Sequence, residues 1–417
     1  MTSGAVDRSP AALATRRVLV TDAGRGSAIA IIRSLGRRGA YVVAADSDRR
    51  SPGFYSRYTA ARVCYPSPRD EPRTVVERLL AAAREHSVDL VIPVTDDVIL
   101  PLSSERGRFA GVCSLALPDA AALAVTSDKQ ATLDLARREG VPVPRTAVVE
   151  TAREARERAE ALGWPVVVKP HTSRSYRDGG RIEAFSVSYA ETPADLDEQV
   201  RRLERRAAIL LQEYYRGEAH GVGLLMERGR PLAAFQHRRL REVPVTGGAS
   251  SFRESVELDR ALFDHAVRLL AALTWTGIAM VEFKIGSDGP RLMEINGRVW
   301  GSFPLAVKSG VDFPAKMVDV HVGGARSDQA PCDSSYRLGV RSRHLELEVT
   351  WIGSVLRRGR RYGSLAHPRR RDALLTAARL LKPSDGYDIL ERDDLRPGLA
   401  EIAKIGTKVR AKMADDR

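Results

Sequence analysis

The sequence predicts an α/β domain with a parallel sheet, followed by an α+β region built on an antiparallel sheet. Its 417 residues are too many for one simple core, which favours two or three domains. A hydrophobic content of 43% and a charged content of 29% are typical of a globular protein. In the first third of the chain, apolar segments alternate with helical patterns. In the middle third, most apolar segments follow one another without a helical pattern between them.

The first third has the pattern of a parallel α/β sheet. Short apolar runs lie at residues 17–24 (RVLVTDAG), 40–48 (AYVVAADSD) and 89–97 (DLVIPVTDD). Helical patterns separate these runs, and strands spaced by helices usually pair in parallel. We therefore expect an N-terminal domain at residues 17–125, preceded by a loose tail at residues 1–16.

The middle third changes to an antiparallel pattern, in which apolar runs follow one another through short turns and two amphipathic helices interrupt them. This part spans residues 126–325, and we divide it into subdomains at residues 126–212 and 213–325. Residues 326–417 have the pattern of short helices and loops rich in proline and arginine. We expect them to form a small, basic C-terminal extension.

Composition excludes several classes of protein. No apolar run approaches the roughly 20 residues that cross a bilayer, and the first 16 residues lack the apolar segment of a signal peptide. The three cysteines are scattered, which predicts a reducing cytoplasm. The net charge is +13, and the strongest basic cluster is RRGRRYGSLAHPRRR at residues 357–371. No nucleic-acid-binding motif accompanies this cluster, so we expect a solvated loop and neither nucleic acid nor a membrane as a partner.

Lysine usage marks two positions. Only nine of the 66 basic residues are lysines, and only Lys129 and Lys169 precede residue 284. An ammonium group is a compact point charge that suits a phosphate oxygen. Lys129 lies in the first turn of a predicted helix with a capping residue, and Lys169 follows an apolar strand and precedes a polar loop. Both lysines are candidate phosphate ligands.

Two neighbouring strands carry carboxylates on an otherwise apolar sheet. Glu282 lies in AMVEFKI and Glu294 in RLMEIN, and the short turn between these runs lets the two glutamates face each other. A divalent cation would relieve their repulsion, and oxygen ligands suit Mg²⁺. The next two alternate positions, Asn296 and Arg298, share the face of Glu294. The pattern predicts a metal site with three ligands, Glu282, Glu294 and Asn296. Arg298 would face the same cavity as these ligands.

These residues, in this order, resemble the ATP-grasp superfamily. The resemblance covers residues 17–325, and its motifs are TSDKQATLDLARREGVPVPRT, WPVVVKP, LLQEYYRGEAHGVG, VEFKI and MEINGR. It is closest to the carboxylate–amine ligases related to D-alanine–D-alanine ligase, with similarity to the biotin carboxylase fold. It implies that the N-terminal part is a pre-ATP-grasp domain and that a two-subdomain ATP-grasp fold with an antiparallel sheet follows.

The resemblance implies roles for the candidate residues, with ATP and Mg²⁺ as cofactors and Mn²⁺ as an alternative ion. Lys129 and Lys169 would neutralise the α- and β-phosphates. Lys169 and Arg298 would act in catalysis, the arginine by contacting an acyl phosphate. The metal ligands would be those predicted above, Glu282, Glu294 and Asn296. Glu213 would accept a hydrogen bond from the adenine amino group, and the backbone of Tyr215 would contact the adenine edge. Glu218 would bind the ribose hydroxyls.

Two loops depart from the family pattern. The loop after Lys169, HTSRSYRDGGR, has glycines only at Gly179 and Gly180, and Arg174 or Arg177 would assist there by side chain. The stretch QHRRLREVPVTGGASS is unassigned by the resemblance. Three of its residues, Arg238, Arg239 and Arg241, are candidates for contact with the triphosphate or a substrate carboxylate. Gly247 and Gly248 indicate a mobile substrate loop.

The implied function is that of an ATP-dependent ligase, which joins a small-molecule carboxylate to an amine through an acyl phosphate and releases ADP and phosphate. A homodimer is an open option for its assembly. Alternatives are a bicarbonate-phosphorylating carboxylase or carbamoyl-phosphate-type enzyme, and a non-catalytic ATP-binding protein. A nicotinamide dehydrogenase is a further alternative, because VTDAGRGSAIA and Asp46 are similar to a dinucleotide-binding unit, although Ile29 takes the place of its third glycine.

Overall fold

The computed structural model describes residues 11–177, 180–204, 206–323, 331–356, 368–380 and 385–415. Most of the predicted tail, Gly179 of the polar loop, and residues 357–367 of the basic cluster lie outside the described residues. Within the described ranges the chain forms three main sheets and a separate two-stranded sheet. In the same ranges, no helix is long and apolar enough to cross a membrane.

The first sheet is parallel throughout, which confirms the predicted α/β architecture. Its elements are α1 (Ala11–Ala14), β1 (Arg17–Val20), α2 (Gly26–Arg37), β2 (Tyr41–Asp46), β3 (Ala61–Cys64), α3 (Pro72–Glu85), β4 (Leu90–Ile92), α4 (Asp96–Ser104) and β5 (Ser114–Leu115). The strand order is β3-β2-β1-β4-β5, and short 3₁₀ helices lie at Pro52–Tyr55 and Arg106–Phe109. The central strands are continuous apolar runs because helices cover both faces of the sheet.

The second sheet is antiparallel and follows two linking helices. The elements are α5 (Ala120–Ser127), α6 (Lys129–Arg138), β6 (Thr146–Val149), α7 (Ala152–Leu162), β7 (Val166–Pro170), β8 (Arg174–Tyr176), β9 (Ile182–Ala184), β10 (Ser188–Ala190), α8 (Pro193–Leu203) and β11 (Ile209–Glu213). The strand order is β10-β7-β11-β6, and β8 pairs only with β9. Helices α7 and α8 pack on the face that carries Val166 and Val168. Because side chains alternate along a strand, Val167 and Lys169 lie on the opposite face.

The third sheet is mainly antiparallel, as predicted. Its first part comprises β12 (Glu218–Glu227), β13 (Arg230–Val243), β14 (Ala249–Ser255), α9 (Arg260–Ala272), β15 (Gly277–Gly286), β16 (Gly289–Asn296), α10 (Phe303–Ser309) and α11 (Phe313–Val322). Helix α9 packs on the face that carries Val281 and Phe283 of β15. Strand alternation therefore places Glu282 on the opposite face, toward the second sheet.

The C-terminal residues form more regular structure than the sequence predicts. Instead of short helices and loops alone, they contribute two strands and a 21-residue helix. The elements are β17 (Arg341–Arg343), α12 (Leu345–Leu356), α13 (Arg370–Arg379), β18 (Gly386–Tyr387) and α14 (Leu395–Asp415). Strand β17 pairs with β14, and β18 pairs with β17, so the third sheet has seven strands in the order β16-β15-β12-β13-β14-β17-β18.

Buried ion pairs explain this difference. Arg343 is almost fully buried, and its guanidinium donates to Glu348 and to Asp385, each at 2.6 Å. Arg253 of β14 forms a buried ion pair with Asp388. The acidic partners lie up to 135 residues away in sequence. A local pattern of arginines therefore cannot distinguish a buried ion pair from a solvated loop.

A further buried pair attaches the C-terminal segment to the first sheet. The Nε of Arg33, on α2, lies 2.9 Å from Oδ2 of Asp394, just before α14. The hydroxyl of Ser56 donates to the same carboxylate at 2.7 Å. The segment that enters the third sheet through β17 and β18 is thus also fixed to the N-terminal domain.

Replacing Asp394 with alanine is expected to lower the free energy of unfolding by about 3 kcal/mol, because the buried Arg33 would lose its nearest carboxylate and keep only Glu391, at 3.6 Å. The matched variant Asp393→Ala removes an exposed ion pair with Arg37 and should cost at most about 1 kcal/mol. Chemical denaturation of both variants measures the two losses. Equal losses would contradict the structural role of the Arg33–Asp394 pair.

Candidate active site

A cleft between the second and third sheets contains the candidate site. Its main cavity has a volume of ≈ 680 Å³ and is lined by strands of both sheets, by the loop between β1 and α2, and by α14. A second cavity of ≈ 540 Å³ lies beside α4, α5 and α6. The two cavities share one wall, which consists of Asp96, Lys169, Arg174, Met293, Glu294, Asn296 and Arg298.

A pair of carboxylates lies at the centre of the cleft. Glu282 and Glu294 are opposite each other on β15 and β16. The Nδ2 of Asn296 donates to Oε1 of Glu282 at 3.1 Å and to Oε1 of Glu294 at 3.0 Å. Arg239, on β13, forms an ion pair with Glu282. The structure therefore brings together the three residues predicted as metal ligands and adds an arginine that the sequence left unassigned.

The surroundings act unequally on the two carboxylates. Burial raises the pKa of Glu282 to about 7; the Arg239 charge opposes this shift and the Glu294 carboxylate adds to it. Burial also raises the pKa of Glu294, but Lys129, the Asn296 amide and Lys169 outweigh burial and hold that pKa below its usual range. Glu282 is thus the member of the pair that takes up a proton first as the pH falls.

The two carboxylates and the amide fit a magnesium ion. Mg²⁺ binds through one or two carboxylates and completes its shell with water and phosphate oxygens. A cation here would also relieve the repulsion between Glu282 and Glu294. Across the described ranges, no group of three or more histidine, cysteine, aspartate or glutamate side chains could hold a metal ion. The candidate set therefore includes the oxygen of Asn296, which a flip of the side-chain amide exchanges with the nitrogen.

Three lysines surround the carboxylate pair, and none of them forms an ion pair within the described part of the chain: Lys129, Lys169 and Lys284. The Nζ of Lys129 donates to Oγ of Ser173 at 3.0 Å, and the Nζ of Lys284 donates to the carbonyl of Tyr215 at 3.4 Å. Burial lowers the pKa of Lys169 to about 8 and also lowers the pKa values of Lys129 and Lys284. Buried ammonium groups without carboxylate partners favour a multivalent anion.

Lys284 is a site residue that the sequence analysis missed. It follows Glu282 by two positions on β15, so strand alternation places both side chains on the cleft face. The same alternation led to Asn296 and Arg298 from Glu294, and it could have identified Lys284.

Arg298 and Arg174 are fixed on the shared wall by the N-terminal domain. The Nε of Arg298 donates to Oδ2 of Asp96 at 2.9 Å, and Arg174 forms an ion pair with Asp97. These two aspartates begin α4. The N-terminal domain therefore positions two cationic groups beside the carboxylate pair.

The glycine loop between β13 and β14 contacts the second sheet across the main cavity. The hydroxyl of Tyr189 donates to the carbonyl of Gly247 at 3.0 Å, and that of Tyr214 donates to the carbonyl of Thr246 at 3.2 Å. Gly247 has a φ of +127°, and a Cβ there would lie 2.7 Å from the Tyr189 hydroxyl. This position consequently requires glycine. Tyr215 also lines the main cavity, and its hydroxyl donates to the carbonyl of Gly289 at 2.7 Å.

Two residues that the resemblance assigned to the nucleotide, Glu213 and Glu218, line neither cavity. Oε2 of Glu213 accepts from Nε of Arg145 at 2.6 Å. Strand alternation puts Gln212, the preceding residue, on the wall of the second cavity and turns Glu213 away from it. Glu218 lies 2.6 Å from Nε2 of His220. The proposed side-chain contacts of both glutamates with adenosine therefore gain no support from their positions.

The remaining unassigned arginines are mostly engaged away from the cleft. Arg238 pairs with Glu254 at 2.8 Å, and Arg241 pairs with Glu348 at 2.6 Å. Only Arg239 of this group lines the main cavity. Arg177, in the polar loop after Lys169, forms an ion pair with Glu183.

Residues 205–343 match a family described as "ATP-grasp in the biosynthetic pathway with Ter operon". The chain is also 29% identical over 265 residues to a D-alanine–D-alanine ligase of Mycobacterium tuberculosis. That alignment covers 55% of this chain and 66% of the enzyme, so the chain spans just under two thirds of that relative's length.

Solved structures show the same fold over most of the chain. A biotin carboxylase complex from Campylobacter jejuni has a TM-score of 0.61 at 19% identity and covers 79% of this chain and 75% of that structure. A carboxyaminoimidazole ribonucleotide synthase from Aspergillus clavatus, complexed with ATP, has a TM-score of 0.61 at 15% identity, with coverages of 88% and 98%. With the family match, these structures confirm the predicted resemblance of the chain to the ATP-grasp superfamily.

Proposed function

We propose that this chain is an ATP-dependent ligase, which joins a carboxylate to an amine through an acyl phosphate and releases ADP and phosphate. The observation that carries the proposal is the set of three buried lysines without ion-pair partners in the described part of the chain, gathered around the Glu282–Glu294 pair. A triphosphate supplies the negative charge that these lysines lack. The similarity to D-alanine–D-alanine ligase supports the same reaction class.

The proposed role of each residue follows from its charge and its position in the cleft. Lys129, Lys169 and Lys284 bind phosphate oxygens, and the backbone around Tyr215 borders the adenine. The metal ligands are Glu282, Glu294 and Asn296, and Mn²⁺ is an alternative to Mg²⁺. The ion, when bound, neutralises charge on the transferring phosphoryl group.

The proposed reaction has two steps. An oxygen of the substrate carboxylate attacks the γ-phosphorus of ATP, the bond to the ADP oxygen breaks, and an acyl phosphate forms. The amine nitrogen then attacks the acyl carbon, the bond to the phosphate oxygen breaks, and a proton leaves the nitrogen for solvent. Arg298, held by Asp96, stabilises negative charge on the acyl phosphate. Arg239 opposes the effect of burial, which raises the pKa of Glu282 to about 7, and so favours the ionised form that the proposed metal site needs.

The chain's own hydrogen bonds disfavour the dehydrogenase alternative. Oδ2 of Asp46, the candidate ribose acid, accepts from the backbone N–H of Gly24 at 2.7 Å and from Oγ of Ser51 at 2.9 Å. Oδ1 accepts from the backbone N–H of Asp48 at 2.8 Å. Three of the roughly four acceptor positions of this buried carboxylate are thus used within the chain, which disfavours its use as a ribose ligand.

A screen for ADP release tests the proposed function. The protein is incubated with MgATP and pooled small carboxylates and amines, and bicarbonate forms a separate pool. A ligase requires one acid and one amine together for ADP release. ADP release with bicarbonate alone would favour the carboxylase alternative. Binding of MgATP without stimulation by any pool would favour a non-catalytic ATP-binding protein, and no MgATP binding would contradict all three.

Cytoplasmic location and a homodimer stay predictions.

Lys169→Ala should weaken MgADP binding by roughly 10- to 100-fold and remove most turnover, because a phosphate charge loses a buried partner. The matched control Lys316→Ala removes a lysine paired with Asp333 outside the cleft and should leave both quantities unchanged. Isothermal titration calorimetry and ADP release measure the two effects. Wild-type affinity and rate in Lys169→Ala would contradict the assigned role.

The affinity for MgADP should fall as the pH rises through about 8. Burial lowers the pKa of Lys169 to about 8, so the free protein loses this charge above that pH and must take up a proton to bind the anion. Calorimetric titrations between pH 7.5 and 9.5 measure the trend. The decline should be smaller in Lys169→Ala. An affinity that stays constant in wild type over this range would contradict the prediction.

Glu294→Gln should raise the Mg²⁺ concentration needed for half-maximal activity sharply while the fold is kept, because the metal site loses an anionic ligand. Glu77→Gln, an exposed substitution on α3, serves as the control. Titrations of activity with Mg²⁺ compare the variants. An unchanged titration for Glu294→Gln would show that Glu294 is not a metal ligand.

A further inference from the structure

The far end of the main cavity is built by segments outside the proposed nucleotide site. It is lined by residues 24–27 of the first domain, residues 301–302, α14, and His344, Glu346 and Leu347. Three residues of α14 contribute, Glu401, Lys404 and Lys408. Their spacing of three and four residues puts them on one face of the helix. We call this region the acceptor end.

Glu401 is a buried carboxylate without a partner at the acceptor end. It is 6% exposed and lines the main cavity. In the described part of the chain it forms no hydrogen bond or ion pair. The two lysines on the same helical face are already engaged, since Lys404 lies 2.7 Å from Asp48 and Lys408 pairs with Glu346. A buried carboxylate left unpaired is costly, which points to a partner that is not part of this chain.

A bound cation would stabilise the ionised form of Glu401, which the surroundings disfavour in the free protein. Burial raises the pKa of Glu401 to about 8, and the neighbouring Asp388 and Glu346 raise it further, against the weaker opposing effect of Arg33. Arg33 is committed to Asp394. The nucleotide end of the same cavity carries Lys169 and Lys284, whereas the acceptor end carries the carboxylate of Glu401, which forms no ion pair in the described part of the chain.

We propose that Glu401 binds a cationic amino group of the amine substrate at the acceptor end of the cavity. This inference rests on the proposed ligase function and deepens it, because it identifies a specificity residue in the C-terminal segment. The buried ion pairs of Arg33 and Arg253 hold that segment, and hence α14, against the cavity.

A second wall of the acceptor end indicates that the same substrate carries an anionic group. Arg25 lines the cavity at the start of α2, and its exposed guanidinium forms no hydrogen bond or ion pair within the described ranges. Gly26 and Ser27, in the first turn of this 12-residue helix, line the cavity too, and their N–H groups lack partners within the helix. A zwitterion such as an amino acid would therefore match both walls.

Binding to the intact protein saturated with MgADP tests this proposal. The probes are the 20 proteinogenic L-amino acids and two simple amines that lack a carboxylate, ethylamine and 1,4-diaminobutane, each titrated by ligand-observed NMR. At least one amino acid should bind the wild type. Glu401→Gln should raise its Kd by roughly 10- to 100-fold, the loss expected for a hydrogen bond to a charged group. MgADP affinity should stay unchanged.

Two further variants sharpen the test. Arg25→Met should weaken binding of the amino acid and leave the simple amines unaffected. The control Glu77→Gln, an exposed glutamate outside the cavity, should bind every probe as the wild type does.

Four results would overturn the proposal. The first is that no amine binds the wild type, and the second is that Glu401→Gln binds as tightly as wild type. The third is that Glu401→Gln alters the response to K⁺ or Mg²⁺ but to no amine, which would make the acceptor end a metal-cation site. The fourth applies if Glu401→Gln unfolds: wild-type affinity in Glu401→Met, a neutral variant of similar size, would show that the carboxylate does not bind the amine. If the wild type does not bind MgADP, this result counts against the proposed ligase function. Failure of that function and failure of the proposed role of Glu401 are therefore distinguishable.

Discussion

The cleft must balance several buried charges of both signs, and the packing of the three sheets around it meets this demand. Lys129, Lys169 and Lys284 are held beside Glu282 and Glu294 in a cavity where each charge loses much of its hydration. The surrounding sheets fix this cluster, and a ligand of complementary charge would reduce the cost of burying it. A metal ion and a triphosphate together would supply the charges of both signs that the cleft lacks.

Ion pairs between distant segments build the walls of this cleft. Asp96 and Asp97 of the N-terminal domain hold Arg298 and Arg174 beside the carboxylate pair. At the other end, Arg33 and Arg253 hold the C-terminal segment against the first and third sheets. The basic composition of the chain is therefore partly structural. Arginine suits these pairs because its guanidinium stays charged and offers several donors when buried.

Local patterns predicted much of this arrangement. Alternating apolar and polar positions along β16 and the two residues after it predicted Glu294, Asn296 and Arg298 as site residues, and apolar runs spaced by helices predicted the parallel sheet. Long-range pairing was out of reach, because Arg343 and Asp385 look like solvated loop residues until the fold buries them together. Glu213 shows a different limit: the resemblance placed it in the nucleotide site, but the alternation of β11 directs it to Arg145. Glu401 gave no signal, since one acidic residue in a polar helix is ordinary.

Transfer of an oxygen atom from the acid to phosphate shows whether the reaction passes through an acyl phosphate. The first acid that supports ADP release together with an amine is prepared with ¹⁸O in its carboxylate and incubated with MgATP, the amine and the protein. Formation of an acyl phosphate carries one labelled oxygen into the released inorganic phosphate, which mass spectrometry detects. We expect one ¹⁸O in the phosphate for each product molecule formed. Unlabelled phosphate alongside product would contradict the acyl-phosphate route and, with it, the proposed use of the cleft.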